Sequence, residues 1–257
     1  MKSLGDMIWI ELRKVLRSRV PWFTALGFLL MPCVAALLIF INKNPTLARQ
    51  LGLLGTKANL MVATADWPGY LAMLVEFTAL GGFFFFCIAI SWDFGREFSD
   101  GTLKDLLAVP VPRLSILLAK FLTVSLWCAV LIVETFVAGL VLGGVIHLPG
   151  GSAAVLLHGC SLLAVTACMS ILLITPFALF ASVGRGYLLP LGIAILLEVL
   201  GNLAVTLGWG AYFPWSVPAQ YIQGVPLEPL SLGLVILTGL AGILGTSLWW
   251  RSSDQNR

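Results

Sequence analysis

Charge is scarce in this sequence. Lys, Arg, Asp and Glu make up 11% of its 257 residues, and hydrophobic residues make up 59%. Such continuous apolar sequence exceeds what a soluble core can use. Histidine is almost missing. The two present, His147 and His158, stand alone near expected helix ends, which fits interface residues better than metal ligands. The five cysteines, Cys33, Cys87, Cys128, Cys160 and Cys168, form no CxxC pair and show no metal-ligand spacing. They read as reduced packing residues inside apolar segments. No GxxxxGK[ST] phosphate loop occurs, nor a nucleophile elbow, an HExxH pair or an EF-hand loop. The chain carries no recognisable catalytic motif of its own, no metal site and no cofactor site. The alternating ten-residue segments of a membrane β-barrel are missing too.

What the sequence does have is long apolar runs. A run of about 18 or more apolar residues can span a bilayer as a helix, and in lipid the helix satisfies its own backbone. Six such runs predict transmembrane helices over 20–41, 70–92, 114–146, 153–183, 187–208 and 230–250. The expected fold is an all-α polytopic membrane protein, a single transmembrane domain over 1–257. Charges continue to Arg19, and the apolar run after it is long and lacks a small-residue cleavage site. The first run is therefore expected to be retained rather than cleaved as a signal. With six spans both termini share one side. Of the 15 Lys and Arg residues only Lys43, Arg49 and Lys57 fall on the opposite side. That asymmetry predicts cytoplasmic termini. The net charge of +3 is thus a topology signal and gives no support for nucleic-acid binding.

Residues 1–19 predict an amphipathic helix lying in the headgroup region. Leu4, Met7, Ile8, Leu12, Val15 and Leu16 share a broad apolar face, and Trp9 is an interface anchor. Glu11 falls on that apolar side. Either it snorkels or pairs with a neighbouring Arg, or it contacts a partner or the next charged region. Between Asp93 and Lys120 lie eight charges in an otherwise apolar chain. Within this island Thr102 and Asp105 resemble a capping box, Leu103, Leu106 and Leu107 form one apolar face, and Pro110 and Pro112 end the pattern. The segment 93–113 therefore predicts a short helix of about two turns, either a docking element for another protein or an ordinary amphipathic loop helix. On the other side, 209–229 mixes aromatics with prolines. It suggests short interfacial or re-entrant pieces, or a plain aromatic belt.

The run Glu97-Phe98-Ser99-Asp100-Gly101-Thr102-Leu103-Lys104-Asp105-Leu106-Leu107, continuing to Pro110, Arg113 and Lys120, resembles the loop between spans two and three of ABC-2-type transporter permeases. The opening Glu11-Leu12-Arg13-Lys14-Val15-Leu16-Arg17-Ser18 resembles the N-terminus of the same family. The small size is similar to bacterial permeases of antibiotic-resistance, lantibiotic-immunity, sodium-export and copper-enzyme-maturation systems. The resemblance implies an ABC-2, type V exporter-like fold in the bacterial cytoplasmic membrane. It implies a second permease subunit, more readily an identical one, and two cytosolic ATP-binding subunits that hold the ATP and Mg. Residues 1–19 would be the connecting helix and 93–113 would hold the coupling helix. Glu97 would pair with a basic residue of the ATPase. Gly101, Thr102 and Leu103 would sit in its surface groove, with Arg96, Phe98, Asp100, Leu107 and Glu11 adding contacts.

Three acids lie inside expected spans: Glu76, Glu134 and Glu198. A carboxylate near the bilayer centre costs about 2.5–3.5 kcal/mol on insertion scales, so each demands a reason. They line a substrate path or the dimer seam, or they tie helices together through neighbours such as Asn202. Gly139 and Gly143 in span three, and Gly239, Gly242 and Gly245 in span six, allow close helix approach. Pro176 and Pro190 are expected to kink spans four and five. The function that follows is a permease of an ATP-driven exporter of a hydrophobic or amphipathic compound, a peptide or an ion. The alternatives are an ATP-independent secondary transporter, for which no inverted repeat is seen, and a membrane-anchored immunity or binding subunit.

Overall fold

A computed structural model describes residues 4–44, 64–101 and 111–252. Thr102, Leu103, Lys104, Asp105, Leu106 and Leu107, and with them the expected coupling helix, lie outside the described residues, as does most of the 42–69 loop.

The described chain is helical, and six of its helical segments are long and apolar enough to cross a membrane. Amphipathic α1 (Leu4–Arg17) leads into α2 (Val20–Lys43), the first span. The second span is continuous over Trp67–Ser99 but is built in three pieces, α3 (Trp67–Phe77), a π-helical turn (Thr78–Gly82) and α4 (Phe83–Ser99). Asp66 starts it, its Oδ1 accepting the Gly69 N–H at 2.9 Å as an N-cap. The third span, α5 (Arg113–Val145), has 33 residues. At 1.5 Å per residue it is about 50 Å long, well beyond the ~30 Å hydrocarbon core. Its first turns therefore project out of the apolar layer on one side.

Span four is broken into α6 (Ala153–Leu173) and α7 (Thr175–Val183). Pro176 has no N–H for the Leu172 carbonyl, and the Thr175 hydroxyl stands in, 2.9 Å from Leu172 O and 2.7 Å from Gly239 O. At the expected kink the helix is thus interrupted by one residue, Ile174, which keeps a helical backbone conformation within a span that runs Ala153–Val183. No kink occurs at Pro190. Span five, α8 (Leu188–Thr206), begins only two residues earlier, so Pro190 sits in the first turn, where helix N–H groups have no partner anyway. Two 3₁₀ turns (Gly210–Tyr212 and Pro214–Ser216) and the short α9 (Val217–Ile222) follow. These are the short pieces the aromatic–proline mixture suggested, and Ser216, Val217 and Pro218 are buried. The last span is α10 (Pro229–Ser252).

Contacts between helix ends define the two faces of the bundle. Arg113 Nη1 donates to Trp250 O at 3.0 Å, and Phe98 packs on Trp249 and Trp250. At the other end Lys43 Nζ donates to Ile146 O and His147 O, and the Trp67 N–H donates to Pro149 O. The ends of α1, α4 and α10 and the start of α5 therefore share one face, that of the termini. The glycines are used for packing within the chain. A Cβ on Gly139 would meet Leu74 at 2.7 Å, and one on Gly143 would meet Trp67 at 2.6 Å.

Candidate coupling site at the termini face

The amphipathic pattern of α1 has a buried stripe, Met7, Glu11 and Val15, at four-residue spacing. A carboxylate in the middle of such a stripe needs a cation, and two are supplied. Lys14, one turn on, lies 2.9 Å from Glu11 Oε1, and Lys120 of α5 lies 3.3 Å from Glu11 Oε2. Both lysines also reach Glu97 Oε1 of α4, Lys14 at 3.0 Å and Lys120 at 3.1 Å. Glu11, Lys14, Glu97 and Lys120 thus close a ring of alternating charge that joins α1, α4 and α5.

Three members of the ring are buried, and Lys14 is partly exposed at its edge. Glu11 and Lys120 are 0% exposed and Glu97 is 4% exposed. An ammonium has three N–H donors. Those of Lys120 face Glu11, Glu97 and the Asp93 carbonyl, the last at 3.0 Å. Asp93 lies one helical turn before Glu97 and adds a third carboxylate, its Oδ2 3.7 Å from Lys120. The Phe94 ring lies 5.8 Å from the Lys120 ammonium, and Phe94 also packs at a tilt against Phe121 and edge-on to Trp250. A buried pair gains little over an apolar replacement, but deleting one partner costs about 3–5 kcal/mol because a charge is stranded. The ring is therefore a strong constraint on the position of α1.

Several expected site residues stand differently from the sequence reading. Glu97 was expected to offer its carboxylate to a partner ATPase. It is instead turned inward and engaged by Lys14 and Lys120. Glu11 takes the contact with the charged island among the alternatives open for it. Among the described residues of the island, Asp93, Glu97 and Lys120 are buried. Phe98 belongs to the aromatic packing of the helix ends. Arg96 and Asp100 remain on the outside as an i,i+4 pair at 3.1 Å. Gly101 adopts φ 69° and a Cβ there would meet nothing within 4 Å. Its left-handed conformation ends α4 and suits glycine.

The three intramembrane acids do not converge through any hydrogen bond or ion pair with one another among the described residues. Glu76 is exposed on α3, and Glu134 is half-buried on α5. Glu198 is half-buried beside a narrow recess that Leu80 of the π turn, Asn202, Trp215 and Gln223 also line. Asn202 Nδ2 donates to the main-chain oxygen of Glu198 at 3.0 Å, within its own helix. Sequence reasoning missed Lys14, Asp93 and Lys120 as a set. The available signals were Glu11 on an apolar face and Asp93 with Glu97 one turn apart at the end of an apolar span.

A family model described as ABC-2 family transporter protein matches residues 7–201, a stretch that holds α1 from Met7 onward, the ring, the first four spans and span five as far as Gly201. The chain belongs to the ABC-2 transporter family. The permease is similar to the bacitracin transport permease protein BCRB of Bacillus licheniformis, 24% identical over 194 residues, which are 74% of this chain and 90% of that protein. It is also similar to the uncharacterized protein YhcI of Bacillus subtilis (strain 168), 27% identical over 181 residues, 62% of this chain and 58% of that protein. The permease is a multi-pass membrane transport protein, and its family implies a partner ATP-binding subunit.

Proposed function

We propose that this permease is the membrane subunit of an ATP-driven exporter, with its termini face in the cytoplasm. The observation that carries this reading is the gathering of α1, the end of α4 and the start of α5 on one face by the buried ring. A force applied to the 93–113 loop is thereby passed to α1 and to spans two and three as one body. The chain has no phosphate loop, so ATP and Mg are held by the partner, in two copies, and no cofactor is held here. With Glu97 and Glu11 engaged inside, docking falls to Arg96, Phe98, Asp100, Gly101, Thr102, Leu103 and Leu107. Two identical permeases form the pore. Span five is the least enclosed of the six and carries Glu198, which supports placing it at their seam. The name of the Bacillus licheniformis relative makes a peptide antibiotic the first substrate to test among hydrophobic compounds, peptides and ions.

Co-expression with the cognate ATP-binding subunit tests the assignment. The two should co-purify, and cells should exclude the antibiotic only when that subunit hydrolyses ATP. Exclusion that persists with a hydrolysis-dead partner would overturn ATP-driven export.

A further inference from the structure

Two facing ladders of side chains line a cavity of about 640 Å³ at the termini face. Trp9, Arg13 and Arg17 follow one another at four-residue spacing along one side of α1. Trp92, Arg96 and Asp100 do the same along α4. Tyr187, just ahead of α8, closes a third side.

The cavity is rich in unused donors for an anion. Its one carboxylate, Asp100, already accepts from Arg96 Nε, and the rest of the Arg96 guanidinium stays available beside the Trp92 ring, 5.1 Å from its centroid. Lys14 spends two N–H groups on the ring and keeps a third. Arg13 and Arg17 are exposed and have no hydrogen bond or ion pair among the described residues.

The surroundings of the cavity say what kind of anion. Its rim residue Ser18 is followed one turn later by Trp22 and Phe23, both exposed. Tyr187 is followed directly by Leu188, which is 86% exposed. A basic, aromatic-lined hollow thus opens onto apolar flanks of α2 and α8. Basic pockets between spans bind acidic headgroups, and Trp and Tyr favour headgroup depth. A free phosphate would leave the apolar flanks unused, whereas acyl chains would cover them.

We propose that this cavity binds the phosphate headgroup of an anionic membrane lipid, with its acyl chains along the exposed starts of α2 and α8. The lipid holds α1 to α4 from outside, as the ring holds them from inside, and Lys14 belongs to both. The site requires no ATPase.

Delipidated permease in detergent, titrated with phosphatidylglycerol and followed by native mass spectrometry, tests the site. One lipid should be retained per chain. Arg13→Gln with Arg17→Gln should weaken retention roughly thirtyfold, from the usual contribution of two basic residues. Lys43→Gln at the opposite end should leave it unchanged, and inorganic phosphate should not displace the lipid. Equal retention of phosphatidylcholine, displacement by inorganic phosphate, or unchanged affinity in the double variant would each overturn the proposal. So would loss of ATPase association in the double variant with lipid retention intact, which would make the cavity a protein-docking surface. A photoreactive phosphatidylglycerol on the unaltered chain removes any dependence on the variant's folding. With the photoreactive group on its headgroup, it should label α1 and α4, and labelling that misses both would sink the idea.

Discussion

Gly242 of α10 meets the main chain of Thr175 so closely that a Cβ added to the glycine would lie 2.6 Å from the Thr175 carbonyl carbon. The contact falls at the break in span four, where the Thr175 hydroxyl also reaches Gly239 O. Backbone cannot give way as a flexible side chain can. Gly242→Ala should therefore destabilise the fold by about 1–3 kcal/mol, as overpacking does. Gly233→Ala on the same helix meets nothing within 4 Å and should be close to neutral. Thermal unfolding of the two variants in detergent checks the contrast.

The charge ring makes a second contrast. Lys120→Met strands the buried Asp93 carboxylate and leaves Glu11 and Glu97 to share Lys14, and should cost about 3–5 kcal/mol, seen as lost monodisperse protein. Glu97→Lys should fail in the same way, before any question of docking arises. Exchanging the two, Glu97→Lys with Lys120→Glu, sets a second cation beside Lys14 and a third carboxylate beside Glu11 and Asp93, so it should recover none of the loss. Recovery would mean that the single contact between positions 97 and 120, rather than the alternating ring, governs the site.

Docking separates from folding at Asp100. This residue is exposed and its pair with Arg96 is a surface pair, worth at most about 1 kcal/mol. Asp100→Lys should leave permease yield unchanged while reducing co-purification of the ATP-binding subunit. Unchanged co-purification would remove Asp100 from the docking surface.

At the opposite face, Asp66→Ala should cost about 1 kcal/mol by removing the cap of α3. The hydrogen bond from Thr64, and then that from the Gly69 N–H, hold the Asp66 carboxyl below its usual range. Its contribution is therefore complete above the ordinary carboxylate pKa and is lost as pH falls through the lowered value. Hydrogen exchange at the first amides of α3 should accelerate in the alanine variant at neutral pH, and in the parent chain only in strong acid.

The intramembrane acids are tested by Gln substitution, which keeps shape and hydrogen bonding. Glu134→Gln and Glu198→Gln should leave folding and ATPase association intact, and at least one should alter transport. If both transport normally while the Leu variants lose dimer, these residues are scaffold.

The six spans were legible because each is a long apolar run with few charges, whose length alone meets the bilayer requirement. Pro190 misled because a proline's effect depends on where its helix begins, and no capping side chain marks the start of α8. The surroundings of Glu97 were illegible for a different reason. Its own helix shows only that it follows Asp93 by one turn. That both meet Lys120 depends on how α4, α5 and α1 pack, and no local pattern records that packing. Glu11 gave the better clue, since an acid on an apolar stripe demands a distant cation.

The ring also sets an order of events during synthesis. Glu11 and Lys120 are 109 residues apart in the chain. When α1 leaves the ribosome its carboxylate has Lys14 but no second cation, so it stays hydrated among the headgroups. Spans one and two insert while that end is still loose. Only when the third span brings Lys120 does the last side of the ring close and give α1 its buried place. The burial of α1 is thus completed only after the third span has been made.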